Sequence, residues 1–170
     1  MGNLKSLLEK RFSVRSYQAK KVEREKIEYI LECARLSPSA VNYQPWVFII
    51  AQSDEVKTKM QESYNREWFA GADCYIVACG NHDEGWKRSD GKDFTDIDVS
   101  IACTSICLAA EETGLGTCWV GNFDKTVLRR NLELPEYIEP IAVFPLGYPA
   151  GDLKIAEKKR KTPDNIVKWK

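Results

Sequence analysis

Apolar runs and amphipathic stretches alternate along this chain. Residues 3–11 predict a first helix. Residues 23–36 predict a second, with Ile27, Ile30, Leu31 and Ala34 on one face and Pro38 ending it. Residues 46–51, WVFIIA, are continuously apolar and predict a buried strand. Ser53 and Asp54 can cap a helix over about 54–64. Residues 74–79, CYIVAC, predict a second buried strand. The polar stretch 80–95, with Gly85, Trp86 and Gly91, predicts a long loop of the kind that serves as a lid. Residues 96–113 predict a long helix rich in small side chains (Ala102, Cys103, Ser105, Cys107, Ala109, Ala110), closed by Gly114. Residues 117–121 predict a third strand, and Asp124 caps a short helix reaching Leu132. Residues 141–148 predict a fourth strand, whose Pro145 points to a sheet edge or a bulge. Beyond Gly151 no core pattern shows until Ile166, Val167 and Trp169.

Strand–helix alternation taken alone predicts a doubly wound parallel sheet. The nucleotide fingerprint of such sheets is missing. Gly114-Leu115-Gly116-Thr117-Cys118-Trp119 starts like G-x-G-x-x-G, but Trp119 stands at the last glycine. The segment also leaves a helix and enters a strand, the reverse of the fingerprint's order. No Walker A sequence is present, so a bound phosphate needs another holder.

Composition narrows the chemistry. The 170 residues suit one domain, and 25 Lys+Arg balance 25 Asp+Glu. Zero net charge argues against a nucleic-acid partner. The balance hides an asymmetry: residues 151–170 hold seven Lys/Arg and three Asp/Glu, so the tail is +4 and the rest −4. His82 is the single histidine, which leaves few Ser–His–Asp or Cys–His devices and no poly-histidine zinc site. No metal site is expected. The six cysteines form no C-x-x-C pair and read as buried thiols of a reducing cytoplasm. No run reaches the roughly 18 apolar residues of a membrane span, so no membrane partner is expected.

Three segments carry candidate chemistry. In Arg11-Phe12-Ser13-Val14-Arg15, two guanidinium groups and a hydroxyl suit phosphate oxygens. In Ser37-Pro38-Ser39-Ala40-Val41-Asn42-Tyr43-Gln44-Pro45-Trp46, a stiff polar loop with fixed amides suits a planar heterocycle. In Gly114-Leu115-Gly116-Thr117-Cys118-Trp119-Val120-Gly121, Gly121 lets a ligand approach the backbone. Each also reads locally as an ordinary helix end, connection or core strand.

Together, in this order, R-x-S-x-R, S-P-S-A-x-N-x-Q-P-W and G-L-G-T-C-W-V-G resemble the nitroreductase family of FMN-dependent flavoproteins, over roughly residues 5–160. The resemblance implies a single α+β domain over 1–170, with a mixed, largely antiparallel sheet flanked by helices. It implies an intertwined homodimer with FMN at the subunit interface and a C-terminal arm, about 151–170, reaching over the partner. Arg11, Ser13 and Arg15 then hold the FMN phosphate and ribityl chain. Pro38, Ser39, Ala40 and Asn42 touch the flavin of the second subunit. Asn65 reads the pyrimidine edge, Val120 and Gly121 lie beside the flavin N5, and Lys158 and Arg160 hold the phosphate. Gln44, Pro45 and Trp46 read as structural, with Trp46 in the core.

The implied chemistry is ping-pong: NAD(P)H reduces the flavin, which then reduces a nitroaromatic, a quinone or a similar small acceptor. The reactive atom is the flavin N5, so no catalytic side chain is required. The loop 81–95 reads either as a lid or as a plain surface loop. As a lid it offers Trp86 for stacking and Lys87 or Arg88 for an acidic substrate. His82 at its start reads as solvated and without a role. The alternatives are reductive dehalogenation or flavin cleavage on the same fold, and a flavin carrier or sensor without turnover.

Overall fold

The computed structural model describes residues 4–151, 153 and 157–170. Ten regular elements follow in chain order: α1 (Leu4–Lys10), α2 (Arg24–Arg35), β1 (Trp46–Ala51), α3 (Asp54–Ser63), α4 (Glu67–Ala70), β2 (Cys74–Asn81), α5 (Thr95–Glu112), β3 (Gly116–Thr117), α6 (Lys125–Asn131) and β4 (Ile138–Gly147). Short 3-10 turns stand at Ala40–Asn42 and Pro163–Asn165. Caps fall where the side chains allow them. Ser53 accepts the Val56 N–H at 3.4 Å to start α3, and Asp124 accepts the Val127 N–H at 3.0 Å to start α6. The one-turn helix α4 has no counterpart in the sequence prediction.

The sheet runs β1-β2-β4-β3, and every neighbouring pair is antiparallel. The parallel sheet suggested by alternation is therefore wrong, and the α+β architecture is right. The misleading signal came from β2, which is buried along its whole length. Its Cys74, Ile76 and Ala78 face α2 and α5, while Tyr75, Val77 and Cys79 face Met60, Phe69 and Leu128 on the other side. An antiparallel strand covered on both faces has no polar alternation left to show.

Two strand predictions need correction. β1 is an edge strand and mostly half-buried, and Trp46 only packs against the core rim. β4 lies inside the sheet, and Pro145 sits opposite Tyr75 without breaking that ladder. The Pro145 carbonyl points the other way, toward β3, accepting from Thr117 Oγ1 at 2.8 Å and from the Tyr17 hydroxyl at 3.3 Å. Its ring nitrogen shares that side. The cost therefore falls on the β3 side, where Pro145 has no N–H for Cys118. This is why the predicted strand 117–121 shrinks to Gly116–Thr117 and resumes only at a Val120–Val143 bridge.

The segment after α1 joins the sheet through a parallel Ser13–Thr117 bridge. Gly116 makes this possible, since a Cβ there would come within 2.5 Å of Val14. All six cysteines are free thiols. Burial pushes Cys74 and Cys79 up to about 12 and Cys107 up to about 11, so these thiols are poor nucleophiles. Among the described residues no helix is long and apolar enough to cross a membrane.

Candidate functional site

Arg11 and Ser13 open on one cavity of about 270 Å³, lined also by Leu8, Thr104, Cys107, Leu108 and Trp119. They reach it because the chain leaves α1 extended: Val14 turns inward and is buried, so Arg11 and Ser13 turn outward. The tail arrives at the same place. Lys158 Nζ donates to the Leu8 carbonyl at 2.7 Å and also to that of Glu9, at the C-terminal end of α1. Partial desolvation, together with the charges of Arg11 and Arg160, holds Lys158 below the ordinary lysine range. Three cations thus share one corner. Among the described residues no ion pair ties Arg11, Lys158 or Arg160 to a carboxylate.

The remaining predicted residues divide. Arg15 is exposed, with its guanidinium 5.6 Å from the centre of the Trp68 ring, so it stands beside the cavity and not among its lining. Asn65 is exposed in the turn between α3 and α4, three residues before Trp68. Val120 spends both backbone groups on Val143, at 2.9 Å each. Gly121, by contrast, is exposed and has nothing within 4 Å of its Cβ direction.

Pro38, Ser39, Ala40 and Asn42 belong to a loop tied to α5 at Asp98 and Ser105, and none of the four lines the cavity. Ser37 Oγ meets Ser105 Oγ at 2.7 Å, and the Ala40 N–H donates to Asp98 at 2.9 Å. The loop carries left-handed backbone at Val41, Asn42 and Gln44. Sequence reasoning had no signal for this, because none of the three is glycine. Pro45 is buried and its carbonyl accepts the Asn81 N–H at 2.7 Å, which joins this loop to the start of the next one.

Residues 82–94 form a tied hairpin with a bridge between Lys87 and Asp93. Trp86 packs edge-on to Phe94, with centroids 4.9 Å apart, so its ring is already engaged. Arg88 pairs with Asp90 at 2.6 Å and lies over the Phe94 ring. Lys87 is exposed.

His82 is held, against the reading of it as solvated. Its Nδ1 lies 3.2 Å from Asp93, and its Nε2 lies 3.3 Å from Asp96 and 3.8 Å from Glu139. Burial disfavours the Asp93 carboxylate, but hydrogen bonds from Thr95 and His82 outweigh it and hold the group at about 2. Burial pushes Asp96 up, with Glu139 and Asp93 adding to the shift and His82 opposing it.

The model of the nitroreductase family matches residues 8–65 and 61–148. The chain belongs to the nitroreductase family. A protein of Methanothermobacter thermautotrophicus, provisionally named NADH dehydrogenase/NAD(P)H nitroreductase, is 38% identical over 146 residues, covering 82% of this chain and 74% of its own. The FMN reductase [NAD(P)H] of Bacillus subtilis is 29% identical, covering 96% of this chain and 71% of its own. The crystal structure of a nitroreductase family protein from Clostridium difficile 630 superposes with a TM-score of 0.89 at 37% identity, covering 99% of this chain and 98% of the other. Arg11 and Ser13 of the basic corner and the 37–44 loop lie on two of the three segments that pointed to this family, while Lys158 and Arg160 come from the tail.

Proposed function

We propose that this chain is an FMN-dependent NAD(P)H oxidoreductase that reduces a small aromatic acceptor, a nitroaromatic or a quinone, in a ping-pong cycle. The family and the names of its relatives support the FMN and NAD(P)H chemistry. The observation that carries the site is the cationic corner formed by Arg11, Lys158 and Arg160 beside Ser13, in which no ion pair ties up a cation among the described residues.

The donor set fits a phosphate monoester. Arg11 can fork onto two oxygens, Lys158 and Arg160 add charge, and Ser13 supplies a hydroxyl. Desolvation is the main cause that lowers Lys158, and an arriving dianion would offset the further repulsion from Arg11 and Arg160. Arg15 flanks this corner and meets the ribityl chain, and Asn65 follows at the pyrimidine end. Gly121 has open space beside its backbone, where an N–H can face developing charge without a side chain intervening. FMN, when bound, accepts hydride from NAD(P)H and gives it to the acceptor. The chain orients and stabilises, and none of its side chains need act as a base. Lys87 remains available to an acidic acceptor. Trp86 and Arg88 are committed within the hairpin.

The proposal includes a homodimer. α5 is apolar around most of its circumference: Val99, Ala102, Cys103 and Ile106 are buried, while Ile97 and Ile101 face outward on the far side. A helix of that kind needs a second cover. Leu36, Val41 and Tyr43 are exposed in the neighbouring loop, and Trp169 in the tail is 94% exposed. A second copy covering α5 would bring its own 38–42 loop toward this chain's basic corner and give the tail a surface. Residues 152 and 154–156 of the proposed arm lie outside the described residues.

The test is an absorbance spectrum of the purified protein, with FMN reconstitution. Flavin bands and their bleaching by NADH or NADPH are expected. A colourless protein that cannot be reconstituted overturns the reading. Bound flavin that neither nucleotide bleaches points to the carrier.

A further inference from the structure

One buried carboxylate lies outside the basic corner. Asp98, in the first turn of α5, is 1% exposed. One oxygen accepts the Ala40 N–H at 2.9 Å. The other, also buried, has no hydrogen-bond partner among the described residues. A half-satisfied buried carboxylate is destabilising, and the dipole at the start of α5 offsets only part of that.

The loop shows what the residue holds. Of the four residues after Ala40, three have left-handed backbone: Val41 at φ 53°, Asn42 at 60° and Gln44 at 53°. For β-branched Val41 this is a genuine outlier, which persists only where the surroundings enforce it. The loop's internal ties are one short turn and two side chains: the Asn42 and Tyr43 N–H groups donate to the Ser39 and Ala40 carbonyls at 3.1 Å each, Ser39 Oγ accepts the Gln44 N–H at 2.9 Å, and the Gln44 amide reaches Asn42 at 3.2 Å. Beside the Pro45 carbonyl's tie to Asn81 at the loop's far end, its external ties come from α5. Ser105, which meets Ser37, follows Asp98 by two helical turns and so lies on the same face.

We propose that Asp98 is a positioning residue: by fixing Ala40 it locks Val41 and Asn42 in the left-handed conformation that presents residues 38–42 to the flavin. This rests on the flavin reading above, yet the loop's conformation can be measured without flavin.

The experiment combines amide hydrogen exchange of the flavin-free chain with FMN titration by fluorescence, on wild type, Asp98→Ala, Asp98→Asn and Asp98→Ala/Val41→Gly. Asp98→Ala should raise exchange at residues 40–44 by about tenfold or more, with residues 102–110 unchanged, and weaken FMN by a similar factor. Asp98→Asn keeps an acceptor oxygen and should stay within about threefold of wild type. Val41→Gly removes the steric cost of the left-handed state, so it should restore part of the lost affinity. If Asp98→Ala fails to fold, Asp98→Ser, too short to reach Ala40, carries the same expectation. Unchanged exchange at 40–44 overturns the proposal. So do equal rises in the loop and α5 without glycine rescue, which would make Asp98 a helix stabiliser only. A wild type that binds no FMN brings down the flavin reading, while the exchange data still judge Asp98.

Discussion

Two charge clusters lie along α5, and they differ in how their charges are balanced. Beside Thr104 and Cys107, Arg11, Lys158 and Arg160 share a corner; Glu9 and Glu111 act on Lys158 from a distance, but among the described residues no carboxylate forms an ion pair with any of the three. At the N-terminal end, His82 stands among Asp93, Asp96 and Glu139, and Glu139 is paired in turn with Lys125 at 2.8 Å. The second cluster sets unlike groups of the chain against one another, an imidazole and an ammonium among three carboxylates, and ties together β2, the hairpin, α5 and β4. The first gathers like charges, with Lys158 held in place by the Leu8 and Glu9 carbonyls. Like charges kept close are a cost to the folded chain alone, and an arriving anion removes it. On the proposed function, the corner of like charges serves binding, and the cluster of paired unlike charges serves bracing.

The largest break in this comparison should come at Arg11. Arg11→Ala should weaken FMN roughly ten- to hundredfold, the range of a charge-assisted hydrogen bond to phosphate. The flavin-free protein should melt no lower than wild type, because the removed charge was repelled. Fluorescence titration and a thermal melt read the two effects. A drop in melting temperature with unchanged affinity would move Arg11 to the bracing class.

Inorganic phosphate gives the same contrast without mutation. It should raise the melting temperature of the flavin-free wild type by a few degrees, through binding to the folded state alone. Arg11→Ala should lose that shift, whereas His82→Gln should keep it. Equal phosphate stabilisation of all three proteins would show that the anion acts elsewhere.

How far these clusters could be read from sequence differs for the same reason. Arg11, Ser13, Lys158 and Arg160 were legible because their types and order form a pattern, even across 150 residues. The brace was not. His82 and Glu139 are 57 positions apart, and only the pairing of β2 with β4 brings them together. Element types were mostly legible, as at α2, β2 and α5. Sheet direction was not, because both faces of β2 are covered. Pro145 was legible as a disturbance but assigned to the wrong place: it interrupts the β3 side of an interior strand. The left-handed residues at 41, 42 and 44 were not legible, since the loop's ties to Asp98 and Ser105 come from across the fold.

Acid should weaken the brace before the corner. Asp93 is held at about 2, below the ordinary carboxylate value. A group lowered on folding stabilises fully above its unfolded pKa. That contribution is lost as pH falls from about 4 toward about 2. Amide exchange in residues 83–92 should therefore rise over this interval, ahead of exchange in β2. Asp93→Asn should flatten the effect. A hairpin whose protection stays constant down to about pH 2 would remove Asp93 from the brace.

The smallest effect should be His82→Gln. Glutamine keeps a hydrogen-bonding group of similar reach but loses the ring that touches three carboxylates. The His82 side chain is 30% exposed, and solvent screening limits what its ion contacts contribute. A loss of about 0.5–1 kcal/mol in a denaturant melt is expected. Affinity for FMN should not change, because the histidine sits at the opposite end of α5 from the basic corner. Turnover with saturating acceptor should stay within about twofold, since a brace has no transition-state contact to lose. A fall in kcat with unchanged stability would place His82 at the substrate. The balanced cluster would then be part of the active site, and neutralisation would no longer separate the two ends of the helix.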